Sequence, residues 1–379
     1  LTQPLLRDFG LDFAYLVVKL AERTANAAVY DYEANLAEFV RAVINAYWNV
    51  VGAREGLDVQ REALTLAERT VTENEARVRV GLLAPVAVLE AEAEAKARET
   101  DLIVAENTLR TARQRLARLA FYRPNGTIVP RMIEPADEVI VEPLEVDEDG
   151  ALELALADRP EVLASTLRIE AQQYSERAAR NALLPRIDFV GSYGLAGLSG
   201  RPDPVTFGGT AQPPSIFAGP ERDAYDRLDD FDRYSLGLRF EVPLSNSRAK
   251  SDYARTRVQR EQAELRHRDL LSQVMLEVRE TTGNVLDTRK AIETSRVARD
   301  LAAENLRNQQ KRHEVGMATT KDLLDFQTRL TEARSTEIQA RVRHAIAVAE
   351  WRRAQGKLLE QYQVMVDHPD RPKPWFTRF

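Results

Sequence analysis

The chain contains no cysteine, which excludes disulfides, thiolate metal sites and a cysteine nucleophile, and leaves the compartment open. It lacks any run near the ~18 apolar residues that a membrane-spanning helix needs, so a helical membrane protein is excluded. An excess of positive charge is missing too: 53 Lys+Arg stand against 59 Asp+Glu, a formal net charge of −6. Nucleic-acid binding requires a basic face that releases phosphate counterions, and no nucleic-acid partner is expected. His267, His313, His344 and His368 are dispersed, without metal-ligand spacing. No glycine-rich phosphate loop follows a strand, and no serine has a paired base. The chain is therefore read as having no enzyme activity, cofactor or metal.

What is present first suggests a water-soluble chain. Mean hydropathy is −0.39, 30% of the 379 residues are charged, and length alone suggests about two or three domains. Glycine and proline are scarce over 31–118 and 249–359 and concentrated between Pro124 and Pro243, so two long helical blocks flank a loop-rich centre. The sequence opens on Leu1 without a charged-then-apolar signal segment, which reads as a processed or truncated piece.

In the first block an apolar residue recurs at every seventh position: Leu36, Val43, Val50, Leu57, Leu64, Val71 and Val78. A 3.5-residue repeat keeps its seam toward a partner only if the helix supercoils left-handedly. Beside the seam, Val40 and Tyr47 give way to Arg54, Arg61 and Glu68, so the seam is narrow. Roughly 65 helical residues at 1.5 Å each span about 100 Å. Gly81 suits the left-handed position that ends a helix, and Pro85 the first turn of the next. A return helix from Val86 to about Ala120, rich in Ala, Glu and Arg, completes an antiparallel hairpin with a tight tip.

The chain repeats itself at an offset of 235 residues. Asn49-Val50-Val51 falls on Asn284-Val285-Leu286, and Val80-Gly81-Leu82 on Val315-Gly316-Met317. The seam continues as Leu271, Val278, Val285, Ile292 and Leu306, broken by Arg299. Pro4-Leu5 matches Pro243-Leu244 at 239, so the first copy holds about four extra residues near Asp8–Asp12. Duplication with equivalent tips implies pseudo-symmetry in the fold.

Between the blocks the period changes to two. Tyr234, Leu236, Leu238, Phe240 and Val242 alternate with Ser235, Gly237, Arg239 and Glu241. Ile187, Phe189, Gly191, Tyr193 and Leu195 form a similar set. Runs of about ten residues with apolar and polar faces match transmembrane β-barrel strands, although an ordinary half-buried sheet strand alternates in the same way. The long Gly-, Pro- and Asp-rich segment 197–232 suits an outward barrel loop. Two strands and a stub at Leu1–Leu5 leave unpaired edges and cannot cross a bilayer alone, so strands from other subunits are expected.

Ala155-Leu156-Ala157-Asp158-Arg159-Pro160-Glu161-Val162, the helix ending in Leu183-Leu184-Pro185, and both tips resemble the TolC family of outer-membrane efflux proteins over essentially the whole chain. The resemblance implies a mainly α fold with a transmembrane β part: duplicated helical hairpins forming a trimeric α-barrel continuous with a twelve-stranded β-barrel, plus a mixed equatorial domain. The implied divisions are a first repeat at 1–120, an equatorial linker and helix at 121–185, and a strand pair with its loop at 186–244. A second repeat follows at 245–360, then an equatorial tail at 361–379. By comparison with the second copy, an N-terminal helix and first strand of roughly 60–90 residues are expected to be missing. The implied role is a passive exit channel of a tripartite efflux or type I secretion system, in the outer membrane and extending into the periplasm. Its implied partners are a homotrimer, a periplasmic adaptor (membrane fusion) protein, an inner-membrane transporter and outer-membrane lipid.

The resemblance also assigns sites. Asp322 and Asp325, spaced i,i+3 on one helix face, would form carboxylate rings at the periplasmic entrance, with Glu90 equivalent to Asp325 in the first copy. Crowded carboxylates would protonate more readily than a free Asp. Thr319 with Asp322 equally fits a capping box. Val80, Gly81, Leu82, Val315, Gly316 and Met317 would meet the adaptor, where glycine permits close approach; helix termination explains both glycines as well. Phe189, Tyr193, Tyr234, Leu236, Leu238 and Phe240 would face lipid. Ala318 and His313 replace an Arg and a Tyr that hold the entrance closed in some members. The competing reading is a soluble coiled-coil scaffold without membrane insertion.

Overall fold

The computed structural model describes residues 1–120, 134–136, 145–197, 199–200, 206–207, 210–211, 219–220, 222–226, 228 and 232–366. Most of the proline-rich segment (Pro124, Pro130 and Pro143), most of the 197–232 loop, and the tail beyond 366 with His368 lie outside the described residues. The elements run β1 (Thr2–Pro4), α1 (Leu11–Ala14), α2 (Leu16–Arg79), α3 (Val86–Ala120), α4 (Glu148–Asp158), α5 (Pro160–Asn181) and β2 (Arg186–Leu195). There follow β3 (Thr206–Phe207), β4 (Thr210–Ala211), α6 (Arg222–Asp226), β5 (Asp232–Glu241), α7 (Ser247–Glu314), α8 (Thr320–Ala354) and α9 (Leu358–Gln361). No helix among the described residues is long and apolar enough to cross a membrane. The chain divides into two compact units, Leu1–Ala27 with Ser165–Arg266, and Ala28–Ala164 with His267–Phe379.

The first unit holds an antiparallel sheet in the order β1-β2-β5. Its register pairs Ile187 with Phe240, Phe189 with Leu238, and Tyr193 with Tyr234, so the expected apolar residues share one face. On the other face Ser192 and Ser235 hydroxyls meet at 2.8 Å, and Asp188 lies opposite Arg239. Arg186 Nε donates to the fully buried Asp188 at 2.8 Å. Helices that lead into and out of the strands are tied by ion pairs, Arg23–Glu170 at 3.0 Å and Arg260–Glu176 at 2.6 Å. The extra residues of the first copy appear as a break in the chain. Asp8 and Gly10 have positive φ, and the single-turn α1 precedes α2. In the second copy Asn246, at φ 43°, leads straight into α7.

In the second unit α2 and α3 form one hairpin, α7 and α8 the other. Val50 and Leu57 of the α2 seam are buried with Leu109 and Leu116 of α3. In the second copy Val278 and Val285 of the seam are buried with Trp351 and Ala347 of α8. Arg299, which interrupts the second seam, is matched by Glu337 of α8 at 3.0 Å, so the break is a charge pair rather than a gap.

Helix α8 packs by two stripes, each stepping by seven residues. Toward α2, Arg341 pairs with Glu55 at 2.6 Å and Arg334 with Glu62 at 2.5 Å. Gln327 and Thr320 continue this stripe, meeting Thr70 at 3.1 Å and Asn74 at 3.2 Å. Toward α7, Trp351 Nε1 donates to Thr282 at 3.0 Å and His344 Nδ1 lies 3.1 Å from Thr288 Oγ1. Glu337 meets Arg299, while Leu330 and Leu323 pack on Leu306. Gly52 lets α2 and α8 pack closely: a Cβ placed there would lie 2.7 Å from Val342 Cγ2. A larger residue would push the two helices apart.

The segment that carried the resemblance closes the other end of this unit. The Arg159 side chain is buried and contacts Glu277 at 2.6 Å and Glu161 at 3.3 Å. Burial alone would lower its pKa, but Glu161 and Glu277 together raise it. Arg353 of α8 shares Glu277. The α8 terminus turns at Gly356, whose φ of +76° brings it within contact of the Arg159 backbone. Arg159→Met should cost about 3 kcal/mol, the low end for breaking a buried pair because Glu277 keeps Arg353. Urea unfolding followed by tryptophan fluorescence would measure it; an unchanged midpoint would show that Glu277 and Glu161 do not depend on this guanidinium.

Candidate functional site at the hairpin tips

The two tips are built alike. Helix α2 ends in basic residues, Arg77 and Arg79, and α7 in Lys311, Arg312 and His313, which favours the negative C-terminal end of each helix dipole. Gly81 and Gly316 both adopt φ +76°. At the first tip Gly81 N–H donates to Val78 O and Leu82 N–H to Arg77 O, at 2.9 and 2.8 Å. At the second, Gly316 N–H donates to His313 O and Met317 N–H to Arg312 O, at 3.1 and 2.8 Å. Both are Schellman turns, with glycine at the left-handed position. The repeat thus reproduces each hydrogen bond at the same offset of 235 residues.

The turns leave an apolar fringe in solvent: Val80, Leu82, Val315 and Met317 are 68–75% exposed. Behind the fringe a polar clasp joins the hairpins. Asn74 of α2 is fully buried and donates to Ala87 O of α3 at 3.1 Å and to Thr320 Oγ1 of α8 at 3.2 Å. Arg77 Nη1 donates to His313 O at 3.2 Å, and His313 Nδ1 lies 3.1 Å from Ala318 O. His313 and Ala318 therefore make a local bond of their own. Asn74 was not singled out in the sequence. Its signal was legible there: an asparagine three residues after the seam residue Val71 and four before Val78, where a polar side chain fixes helix pairing.

Asp322 forms the capping box. Thr319 N–H and Oγ1–H donate to its carboxylate at 3.0 and 2.7 Å, and Asp322 N–H donates to Thr319 Oγ1 at 3.1 Å. These bonds, first the hydroxyl and then the backbone N–H, hold the Asp322 carboxyl below its ordinary value of 3.8. Repulsion between carboxylates, the effect expected of a ring, would act in the opposite direction. Asp325 and Glu90 are exposed. No cluster of His, Cys, Asp or Glu able to hold a metal occurs among the described residues.

With this geometry in view, comparison with known proteins gives a consistent class. The sequence pattern of the outer membrane efflux protein family matches residues 17–120 and 151–357. The chain belongs to that family, and it is an outer-membrane protein. No curated protein matches it. Among solved structures it is similar to the CmeC outer membrane channel of Campylobacter jejuni, at 15% identity and a TM-score of 0.71, covering 94% of this chain and 70% of that one. Similarity to the open state of the Neisseria gonorrhoeae MtrE outer membrane channel has 18% identity and a TM-score of 0.70, with 94% and 74% covered. For the outer membrane protein VceC of Vibrio cholerae the values are 18% and 0.69, with 94% and 78% covered. At these identities the likeness shows a shared fold. Family membership disfavours the soluble coiled-coil scaffold.

The cap and the carboxylate charge can be separated. Thr319→Ala removes an N-cap and should cost about 1 kcal/mol in urea unfolding. Asp322→Asn keeps an acceptor for the Thr319 bonds and removes only the charge. Because the folded pKa lies below 3.8, the stabilisation from this carboxylate is present above that pH and is lost as pH falls through the lowered value. Asp322→Asn should therefore flatten the acid side of the stability profile. An unaltered acid limb would show that the capping box does not set this titration.

Proposed function

We propose that the chain is one protomer of a homotrimeric, passive outer-membrane exit channel in a tripartite efflux or type I secretion system. In this reading it conducts small molecules or proteins from periplasm to exterior and acts as a conduit rather than an enzyme. One observation carries it: among the described residues, a three-stranded sheet has open edges and an exposed apolar face, in a chain whose long helices are polar enough for water. Tyr193, Tyr234, Leu236, Leu238 and Phe240 are 57–78% exposed, and Phe189 lies on the same face. Such a face suits lipid, and such edges are tolerable in a bilayer only when other strands close them into a barrel. The helical hairpins would then continue as a periplasmic tunnel, with the equatorial segments around it.

Asp322 and Asp325, with Glu90 in the first copy, would line the periplasmic entrance as symmetric carboxylate rings, a cation-attracting constriction. The exposed fringe of Val80, Leu82, Val315 and Met317, with Gly81 and Gly316 allowing close approach, would receive the helical hairpins of a periplasmic adaptor bound in turn to an inner-membrane transporter. The clasp at Asn74 suits an entrance that opens by loosening the hairpins against each other.

Single-channel recording in planar bilayers tests the reading. The wild-type protein should conduct with cation preference, and Asp322→Asn combined with Asp325→Asn should reduce that preference by several-fold, while Thr319→Ala leaves it unchanged. Absence of conductance in a correctly inserted trimer would overturn the channel, and unchanged selectivity in the double variant would remove the ring. In parallel, Gly81→Trp with Gly316→Trp should weaken adaptor pulldown without dissociating the trimer.

A further inference from the structure

The entrance to α2 is apolar where the entrance to α7 is polar. Five of the ten residues from Phe9 to Val18 are large, apolar and 56–78% exposed: Phe9, Leu11, Tyr15, Val17 and Val18. The shift of 235 residues places Asn246, Lys250, Asp252 and Tyr253 at the positions of Leu11, Tyr15, Val17 and Val18. A strand-to-helix junction of this fold does not require the apolar surface, because α7 starts without it. Contiguous exposed apolar surface of this kind marks a site of contact with a protein or a membrane.

Local geometry gathers these residues. Asp8 and Gly10, both at positive φ, turn the chain between β1 and α1. Helical hydrogen bonds then run through the break at Tyr15. Ala14 N–H donates to Gly10 O, Tyr15 N–H to Leu11 O and Lys19 N–H to Tyr15 O, at 3.2, 3.0 and 2.9 Å. Leu11, Tyr15 and Val18, spaced i, i+4 and i+7, therefore share one helical face, while Leu16 is buried. The charges within the stretch cancel, with Asp12 and Lys19 3.6 Å apart. One turn beyond Val18 the apolar stripe ends at the exposed Glu22.

The position of this elbow identifies what covers it. Gln3 pairs with Phe189, and Leu5 N–H donates to Ile187 O at 2.7 Å, so Leu5 continues the apolar face of the sheet. Asp8 N–H donates to Asn181 Oδ1 at 2.9 Å, which pins the turn beside the helix that feeds β2. The elbow thus begins where the strands meet the helices, at the end of the sheet where Val242 and Leu244 follow β5 and are exposed. Strands β2 and β5 are each 10 residues long, the length that fills a hydrocarbon layer. Residues just beyond them fall at the headgroup boundary, which favours tyrosine and the apolar face of a surface-lying helix. At the start of α7 the exposed Arg248 and Lys250 suit the phosphates of the same boundary. We propose that Leu11, Tyr15 and Val18 form an interfacial anchor, seated in the phospholipid of the periplasmic leaflet, that fixes the depth of the sheet in the outer membrane. The inference rests on the reading of β2 and β5 as strands of a barrel.

The absence of cysteine makes the test direct. Leu11→Cys, Tyr15→Cys, Val18→Cys and Glu22→Cys, each carrying a nitroxide, are reconstituted into vesicles of phosphatidylethanolamine and phosphatidylglycerol. Collision with oxygen, which partitions into lipid, is compared with collision with a water-soluble nickel chelate. The oxygen-to-nickel ratio should be several-fold higher at Leu11→Cys, Tyr15→Cys and Val18→Cys than at Glu22→Cys. Leu238→Cys is the control within a strand. If Leu238→Cys reports lipid while the three elbow positions report water, or admit neither reagent because another copy covers them, the anchor is overturned and the barrel stands. If Leu238→Cys reports water, the barrel reading fails and the anchor fails with it. Depth has its own readout: Leu11→Asn with Val18→Asn should shift a nitroxide at Val242→Cys toward water, and an unchanged ratio there overturns the depth-setting role.

Discussion

The structure of the second unit depends on α8 being held on two sides at once. A helix of 35 residues with so little continuous apolar surface cannot be kept in place by one hydrophobic stripe. It is fixed instead by two stripes of the same seven-residue period, offset by three residues. The stripe from Leu323 to Trp351 faces α7, and the stripe from Thr320 to Arg341 faces α2. Because both follow one 3.5-residue repeat, sliding α8 against either neighbour would break the ladder on the other. The pairing of the hairpins and the position of the tips are therefore one constraint. The clasp at Asn74 is its last rung, where Thr320, the first residue of α8, meets α2.

The same helix explains the Asp158-Arg159-Pro160-Glu161 segment. At the C-terminal end of α8 the ladder would otherwise stop with Arg353 and Glu277 at the edge of the bundle. Arg159 inserts beside them, buried and doubly paired, and Gly356 allows the chain leaving α8 to pass against the Arg159 backbone. Pro160 opens α5 at a position where its missing N–H costs nothing. A motif first noticed for its resemblance thus has a mechanical role: it locks the register of α8 at the end away from the tips.

Much of this architecture was legible because its determinants are local. Gly81 and Pro85 delimit the first tip, the α2 seam repeats every seven residues, and period-two alternation marks β2 and β5. The four extra residues near Asp8–Asp12 are visible from the shift in offset, and they fold as the α1 break. The second stripe of α8 was not legible. Thr320, Gln327, Arg334 and Arg341 carry no signal of their partners, since polarity alone does not distinguish a side chain hydrated by water from one paired with Glu55 or Glu62. Asp322 illustrates the converse. Its spacing fits a capping box and a lumenal ring equally, and the single chain exhibits the box because both partners of that interaction lie three residues apart.

Duplication also bears on how an outer-membrane protein can have balanced charge and low mean hydropathy. A repeated hairpin would be expected to satisfy its two copies alike, yet the copies have diverged along one face: Gly52, Glu55 and Glu62 on α2 correspond to Asp287, Lys290 and Val297 on α7. The acidic face takes the arginines of α8 within the chain. The corresponding α7 face, with Leu286, Asp287, Lys290 and Val297, is exposed, and the acidic stripe of α3 (Glu92, Glu99 and Glu106) would meet like charge on α2. Charge rather than apolar area then decides which of the two equivalent faces closes on α8 inside the chain. That division suits helices that must stay wetted by water on their remaining faces.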